Sequence, residues 1–290
     1  MRKLLLQLDS SRLPSVFDRV VAYDGGADEV MSYGGITEPD VRDLIHGCIF
    51  TRGPKDLKNT AVFVGGADIA VGEQLLTAAT KAMFKPFTVS TMLDSNGSNT
   101  TAVAAVAKMV QATGDVRGKR VLIVAGTGPV GIRAAGLFAK AAADVCITSR
   151  KADAGERARD LVLKRFGGTV RAIAMPDAKE AIRACERAEL LLNAGPAGVM
   201  LVPKQAWASR PGLKVVADVN AVPPLGIEGV EVMDDGVTKE GVVCFGALAI
   251  GNLKMKVHKA CIARLFERND LVLDAETIAD VARELMAPKS

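Results

Sequence analysis

Apolar and polar positions follow two rhythms along the chain, and the rhythms take turns. Residues 3–8 are a short apolar run that reads as a strand, and PSVFDRVVAYDGG then carries helical spacing into a glycine turn. TEPDVRDLIHG sets Thr37 and Asp40 at capping-box spacing with Pro39 in the first turn, which predicts a helix start. TAVFV and FTVST read as strands around the helical GADIAVGEQLLTAATKAMF, and TAVAAVAKMVQA reads as the next helix. After VRGK the alternation begins afresh. RVLIVA, DVCITS, TVRAIA, ELLLNAG and KVVADV are strand-like, separated by the helical PVGIRAAGLFAKAAA, ADAGERARDLVLKRF and KEAIRACERA. NLKMKVHKACIARLFE and DAETIADVARELM follow as helices. Strands that alternate with helices predict an α/β fold with parallel, helix-covered sheets.

VLIVAGTGPVGIRAAG gives the second half of this pattern a chemistry. Gly126, Gly128 and Gly131 form G-x-G-x-x-G directly after a strand and at the opening of a helix, the setting in which that spacing has meaning. Gly126 permits the tight turn, Gly128 lets a pyrophosphate approach the backbone, and Gly131 lets the helix lie close to the sheet. Thr127, Pro129 and Val130 complete the phosphate loop. An NAD-selective site places an acid at the end of the following strand. Ser149, Arg150 and Lys151 stand there instead, and a hydroxyl with two cations suits a 2′-phosphate, so the expected cofactor is NADP, with NAD weaker. Two later strand ends, NAGPAG with Ala194 and Gly195, and DVNAVPPLG with Asp218 and Asn220, can admit the nicotinamide ribose or line a cleft; Asp218 and Asn220 can equally bond their own turn.

MLDSNGSNTT, residues 92–101, is more polar than a strand-to-helix loop requires. Asp94, Ser95, Asn96, Asn99, Thr100 and Thr101 either cap the helix and satisfy the loop's own backbone, or form a polar wall for a ligand rich in hydrogen-bonding edges. GGAD occurs at 25–28 and again at 65–68, which reads as two glycine-rich turns.

The bulk composition narrows the function classes. The 290 residues are 49% hydrophobic and 24% charged, with only 4% aromatic. The excess charge of +4 is spread without a basic tail or interleaved aromatics, which gives nucleic acid little support. Five cysteines without C-x-x-C spacing predict reduced, buried thiols in a cytoplasm and no metal site. MRKLLLQLDS is too short and too soon charged for a secretory signal, and GVVCFGALAIGNL falls short of a membrane span. Only the last residues, APKS, read as a loose end. His46 and His258 have no partner pattern, and no H-E-x-x-H, G-x-S-x-G or P-loop is present. Oxidation of an alcohol needs a base for the hydroxyl proton, so a hydride transfer that moves no proton fits better.

PSVFD (14–18), YDGGAD (23–28), FVGGAD (63–68), MLDSNGSNTTA (92–102), AGTGPVG (125–131), SRK (149–151), NAVPPLGI (220–227) and FGALAIGNLKMKVHKACIA (245–263) together resemble the NADP-dependent methylene-tetrahydromethanopterin/methylene-tetrahydrofolate dehydrogenases of methylotrophs, in order along nearly the whole chain. The resemblance implies a pterin-binding domain over 1–103, a Rossmann-type NADP domain over 104–252, and C-terminal helices over 253–290, the first at the interface with the pterin domain, with a cleft between the lobes. It implies a homo-oligomer, a trimer or hexamer, and a role in one-carbon metabolism. It places a reduced pterin against the wall of Asp94 to Thr101, completed by Asp18, Tyr23, Asp24 and Asn220. It also makes Lys254, the first lysine of G-x-L-K-x-K, the residue expected to matter in catalysis. A cation beside a developing cation is unfavourable, so Lys254 either orients a pterin carbonyl or acts as a neutral amine; alternatively it belongs to a solvated helix face with His258. The bifunctional folate dehydrogenase/cyclohydrolases carry Y-x-x-x-K, which is absent here, since Tyr23 and Tyr33 are followed four residues later by Ala27 and Thr37. A shikimate-type dehydrogenase or a non-catalytic NADP sensor remain the other readings.

Overall fold

The computed structural model describes residues 1–287; the expected loose end lies outside the described residues from Pro288 onward. The chain divides into two compact units, one made of residues 1–100 with 255–287, the other of Thr101–Lys254. β1 (Leu4–Asp9), α1 (Val16–Asp24), β2 (Glu29–Tyr33), α2 (Glu38–Ile49), β3 (Thr60–Gly65), α3 (Ile69–Lys81), β4 (Ser90–Leu93) and α4 (Ser98–Thr113) come first. The second unit continues with β5 (Arg120–Val124), α5 (Pro129–Lys140), β6 (Asp144–Ser149), α6 (Ala152–Phe166), β7 (Arg171–Ala174), α7 (Ala181–Ala184), β8 (Leu190–Asn193), β9 (Val215–Asp218), β10 (Asp235–Lys239) and β11 (Val242–Phe245). α8 (Ala247–Leu265) returns the chain to the first unit, where β12 (Val272–Leu273) and α9 (Ala275–Met286) complete it.

The first sheet runs β12-β4-β3-β1-β2 and is parallel throughout. Its order reverses between β1 and β3, which pair from Leu4 with Thr60 to Asp9 with Gly65. The second sheet runs β10-β11-β9-β8-β5-β6-β7, parallel except for the edge strand β10, and reverses between β5 and β8. In open sheets of this kind ligands bind beyond the carboxyl ends of the strands at the reversal. Each unit therefore has its own switch point. The fold is α/β, with a Rossmann-type second unit.

Both cores follow from the apolar runs. Leu6 and Leu8 of β1 meet Val41 and Ile45 of α2, Val62 and Val64 of β3, and Leu75 of α3. In the second unit Leu122, Leu191 and Val216 pack with Trp207, whose indole N–H donates to Glu228 O at 2.9 Å. Asp40 begins α2 as its spacing predicts, accepting from Thr37 N at 2.9 Å and from the Thr37 hydroxyl at 2.6 Å.

Five elements differ from the sequence pattern. β2 was not legible, because EVMSY buries only Val30 at the sheet edge and shows no clean alternation. KEAIRACERA predicts a full helix, yet α7 is one turn followed by a 3-10 turn at Cys185–Arg187; Cys185 and Ala188 must both reach the core before β8 begins at Leu190. β10 and β11 form a hairpin whose two-residue turn, Glu240 and Gly241, has φ of 53° and 78°, matching the right-handed twist of its strands. The fifth is the two-residue β12, too short to carry a pattern. Among the described residues no helix is long and apolar enough to cross a membrane.

Candidate active site

The switch point of the second unit is built by the absence of side chains. Ala125, at φ 52°, turns the chain out of β5, and its N–H donates to Thr148 Oγ1 at 3.0 Å. A Cβ on Gly126 would lie 2.7 Å from Ile147 Cβ, and one on Gly131 would lie 2.6 Å from Gly126 Cα, so both positions require glycine for close packing. Gly128 differs. It is the N-cap of α5 without any side chain capping the helix, and a Cβ there would meet nothing within 4 Å. Pro129 follows at the first helical position, where its missing N–H costs nothing, and no side chain caps the remaining N–H groups of the first turn. An uncapped, positively polarised helix end beside open volume fits a pyrophosphate. Thr127, Pro129 and Val130 are half-buried around it.

Ser149 ends β6 buried, while Arg150 and Lys151 are exposed at the start of α6. The Ser149 hydroxyl accepts from Lys151 N at 3.4 Å. The nearest acid in sequence, Asp153, is taken by Arg157 at 2.8 Å. The loops after β8 and β9 are laced together. Asp218 accepts from Asn193 Nδ2 at 2.7 Å, from Ile227 N at 2.9 Å and from Asn220 N at 2.9 Å. Burial pushes the Asp218 carboxyl above its ordinary value, against the pull of those hydrogen bonds. The Asn220 amide donates to Pro224 O at 3.3 Å and accepts from Val222 N at 2.9 Å. Asp218 and Asn220 thus bond their own turn and also, through Asn193 and Gly198, the loop after β8. Ala194 and Gly195 are half-buried, with Gly195 N donating to Asn193 Oδ1 at 3.2 Å.

The switch point of the first unit is filled with polar side chains. In the loop after β4, Asp94, Ser95, Asn99 and Thr100 are buried. Asp94 accepts from Thr100 N at 3.0 Å and from Thr100 Oγ1 at 2.6 Å. The Ser95 hydroxyl donates to Gly65 O at 2.8 Å, and the Asn99 amide donates to Leu93 O. These four side chains hold the loop onto the ends of β3 and β4. Asn96, at φ 53°, is exposed, and Thr101 is half-buried. Behind the loop His258 of α8 is fully buried, stacked on Phe63 at 5.5 Å with Nδ1 3.8 Å from Asp94 Oδ2. On α1, Asp18 is buried, whereas Tyr23 and Asp24 are exposed and Asp24 pairs with Lys259 at 2.7 Å. Lys254 lies half-buried on α8, at the last position of the second unit.

Sequence reasoning missed the end of β1. Asp9 is buried there and accepts from Ser11 N at 2.7 Å and Ser15 N at 3.0 Å. The Ser11 hydroxyl in turn accepts from Ala67 N at 3.1 Å, which ties the β1 loop to the β3 loop. A Cβ on Gly65 would have Asp9 Oδ2 at 3.3 Å and Asp18 Oδ2 at 3.6 Å, so two carboxylates flank one glycine at the switch point. The available signal was a polar pair, Gln7 and Asp9, on one face of an otherwise all-leucine strand.

A family model described as the N-terminal part of methylene-tetrahydromethanopterin dehydrogenase matches residues 16–96, from the first turn of α1 to the loop after β4. Bifunctional protein MdtA of Methylorubrum extorquens is 48% identical over 285 residues, covering 98% of this chain and 99% of its own. The NAD(P)-dependent methylenetetrahydromethanopterin dehydrogenase of the same organism is 33% identical over 297 residues, covering 98% and 99%. The chain belongs to the methylene-tetrahydromethanopterin dehydrogenase family. Membership spans both units, since each relative aligns along almost all of its length. Among solved structures, shikimate 5-dehydrogenase from Listeria monocytogenes covers 99% of this chain and 96% of its own with a TM-score of 0.55 and 12% identity. That likeness is one of fold alone.

Proposed function

We infer that the protein is an NADP-dependent methylene-tetrahydromethanopterin dehydrogenase, an oxidoreductase of one-carbon metabolism that takes hydride from the methylene group of the reduced pterin and leaves the methenyl form. The observation that carries this is the full-length similarity to a protein named as an NAD(P)-dependent methylenetetrahydromethanopterin dehydrogenase. Methylene-tetrahydrofolate is the second substrate, work in the cytoplasm the expected setting, and a homo-oligomer the expected assembly.

When bound, NADP supplies the hydride acceptor, and the two nitrogens flanking the methylene carbon share the resulting positive charge. No proton moves in that step, so no residue has to act as a base. The chain's own task is to hold two ligands with reacting atoms about 3–3.5 Å apart and to keep out water that would open the product. The uncapped end of α5, with Gly128 giving open room, holds the pyrophosphate. Ser149, Arg150 and Lys151 take the 2′-phosphate, Arg150 through paired N–H donors. Ala194 and Gly195 line the ribose side. Asp18, Tyr23, Asp24, Asn96 and Thr101 contact the pterin, while the buried Asp94, Ser95, Asn99 and Thr100 fix the shape of the loop beneath, and Asn220 fixes the loops after β8 and β9. Lys254 orients the pterin through its ring carbonyl.

The test is NADPH formation from methylene-tetrahydromethanopterin and from methylene-tetrahydrofolate, each with NADP and with NAD. Turnover of the methanopterin form with NADP is expected to be fastest. Folded protein that binds NADP and turns over none of the four pairs would overturn the assignment.

A further inference from the structure

Burial, hydrogen bonding and sheet topology converge on two residues of β1 that no binding motif contains. Successive side chains of a strand face opposite ways. Leu6 and Leu8 enter the core with α2 and α3, and the opposite face carries Leu5, Gln7 and Asp9. Gln7 and Asp9 are each 1% exposed, at positions where an apolar side chain would be buried without cost. A strand that breaks its own rule in this way usually does so for a site.

Both residues grip the same point. Ser15, the N-cap of α1, donates its backbone N–H to Asp9 Oδ2 at 3.0 Å, and its carbonyl accepts from Gln7 Nε2 at 3.2 Å. Gln7 is itself held, since its Oε1 accepts from the Ser32 hydroxyl at 2.7 Å. The Ser15 hydroxyl accepts from Asp18 N at 3.2 Å. The first turn of α1 is therefore fixed from both sides, and the residue it delivers is Asp18, whose Oδ2 stands beside Gly65 at the switch point between β1 and β3.

We propose that Gln7 and Asp9 are positioning residues that clamp the N-terminus of α1 so that the Asp18 carboxylate meets the donor edge of the pterin. The inference rests on the pterin reading given above. A pterin offers a ring N–H and an exocyclic amine side by side, and a carboxylate can accept from both. Such a pair of bonds is directional, and a small rotation of α1 about its cap spoils both. The Gln7 and Asp9 side chains do not touch the ligand.

The double variant Gln7→Leu with Ser32→Ala tests this in the full-length protein. It removes both members of a part-buried hydrogen bond and restores an apolar face, which leaves stability near level. The Ser15 carbonyl keeps a partner in Arg19 N at 3.2 Å. The expected result is an unchanged Tm, a KM for the pterin raised roughly tenfold, and an unchanged KM for NADP. Asp9→Asn, of the same shape, turns an amide N–H toward one of the two donors it should accept from, and raises the pterin KM in the same selective way. It carries the test alone if the double variant does not fold. Asp18→Asn is measured alongside. If Asp18→Asn raises the pterin KM and the β1 variants do not, the clamp is overturned while the pterin reading stands. If Asp18→Asn changes nothing, the pterin contact itself is wrong and the clamp falls with it. A Tm that drops together with equal losses for both substrates would reduce Gln7 and Asp9 to structural residues.

Discussion

At the switch point of the second unit side chains have been removed, and at that of the first they have been packed in. Gly126 and Gly131 bring backbone to backbone, and Gly128 leaves room for a ligand, so recognition there falls to N–H groups and a helix end. The first unit instead buries Asp9, Asp18, Asp94, Ser95, Asn99 and Thr100 around the same kind of reversal. A phosphate is nearly spherical in charge and tolerates recognition by a dipole. A planar ligand with several donors and acceptors needs side chains at fixed angles, and those side chains need partners of their own. On the proposed function, the two units solve one topological problem with opposite residue types because their ligands differ in shape.

Gly131→Ala should break the second site most severely. Its Cβ would meet backbone atoms of Gly126 at 2.6 Å and 2.8 Å, which cannot swing away. A loss of about 1–3 kcal/mol in stability is expected from such overpacking, with NADP binding falling by two orders of magnitude or so; a melt and a nucleotide titration read both. Arg150→Ala comes next. Losing a charge-assisted pair should raise the KM for NADP by roughly 10–100-fold and leave that for NAD nearly unchanged. Equal changes for both nucleotides would remove the 2′-phosphate role. Gly128→Ala sharpens the comparison further, because a Cβ there touches nothing within 4 Å. Stability should stay within about 0.5 kcal/mol while NADP affinity drops several-fold, since the methyl group enters the ligand's space and no other. If affinity were unchanged, the open volume beside α5 would not be the pyrophosphate site.

The last effect is absent near neutral pH and concerns both units. Burial pushes Cys48 and Cys244 up to about 11 and Cys185 and Cys261 up to about 12, against an ordinary 9.0. The unfolded chain therefore loses these protons first. The contribution is complete below pH 9.0 and drains away as pH climbs through 11 to 12. Denaturant midpoints measured from pH 8 upward should fall on this account, and native thiols should resist alkylation until the chain unfolds.

How much of this was readable in advance also divides by unit. The glycine loop lies within six consecutive positions and the proposed cofactor selector at the end of the next strand, so local spacing was enough to single out Gly126, Gly128, Gly131 and the Ser149–Lys151 run as candidates. The proposed site of the first unit draws on residues 7, 9, 15, 18, 65 and 94–101, and only the sheet order brings those strand ends together. The polarity of MLDSNGSNTT offered two readings, a loop that satisfies its own backbone and a ligand wall, and spacing alone did not say which side chains would turn inward to Leu93, Gly65 and Thr100. Asp9 was hidden because a single acid after a strand looks like a turn residue. The short α7 shows the converse case, in which helical spacing was present and the distance to the next strand overrode it.

Both passages of the chain between the units fall inside helices, α4 near Thr100 and α8 near Lys254, so the second unit is an insertion within the first. That fixes an order of events on the ribosome. Residues 101–254 form a compact unit whose chain is made before the last strand and helix of the first. The first hundred residues lack those last elements until then. Their sheet waits with β4 as an open edge, Ser90 without the carbonyl of Arg268 it will bond at 2.8 Å, and Phe63 without the ring of His258. The half of the molecule made first is the half finished last, and until its final strand arrives it is the part that a chaperone would have to shield.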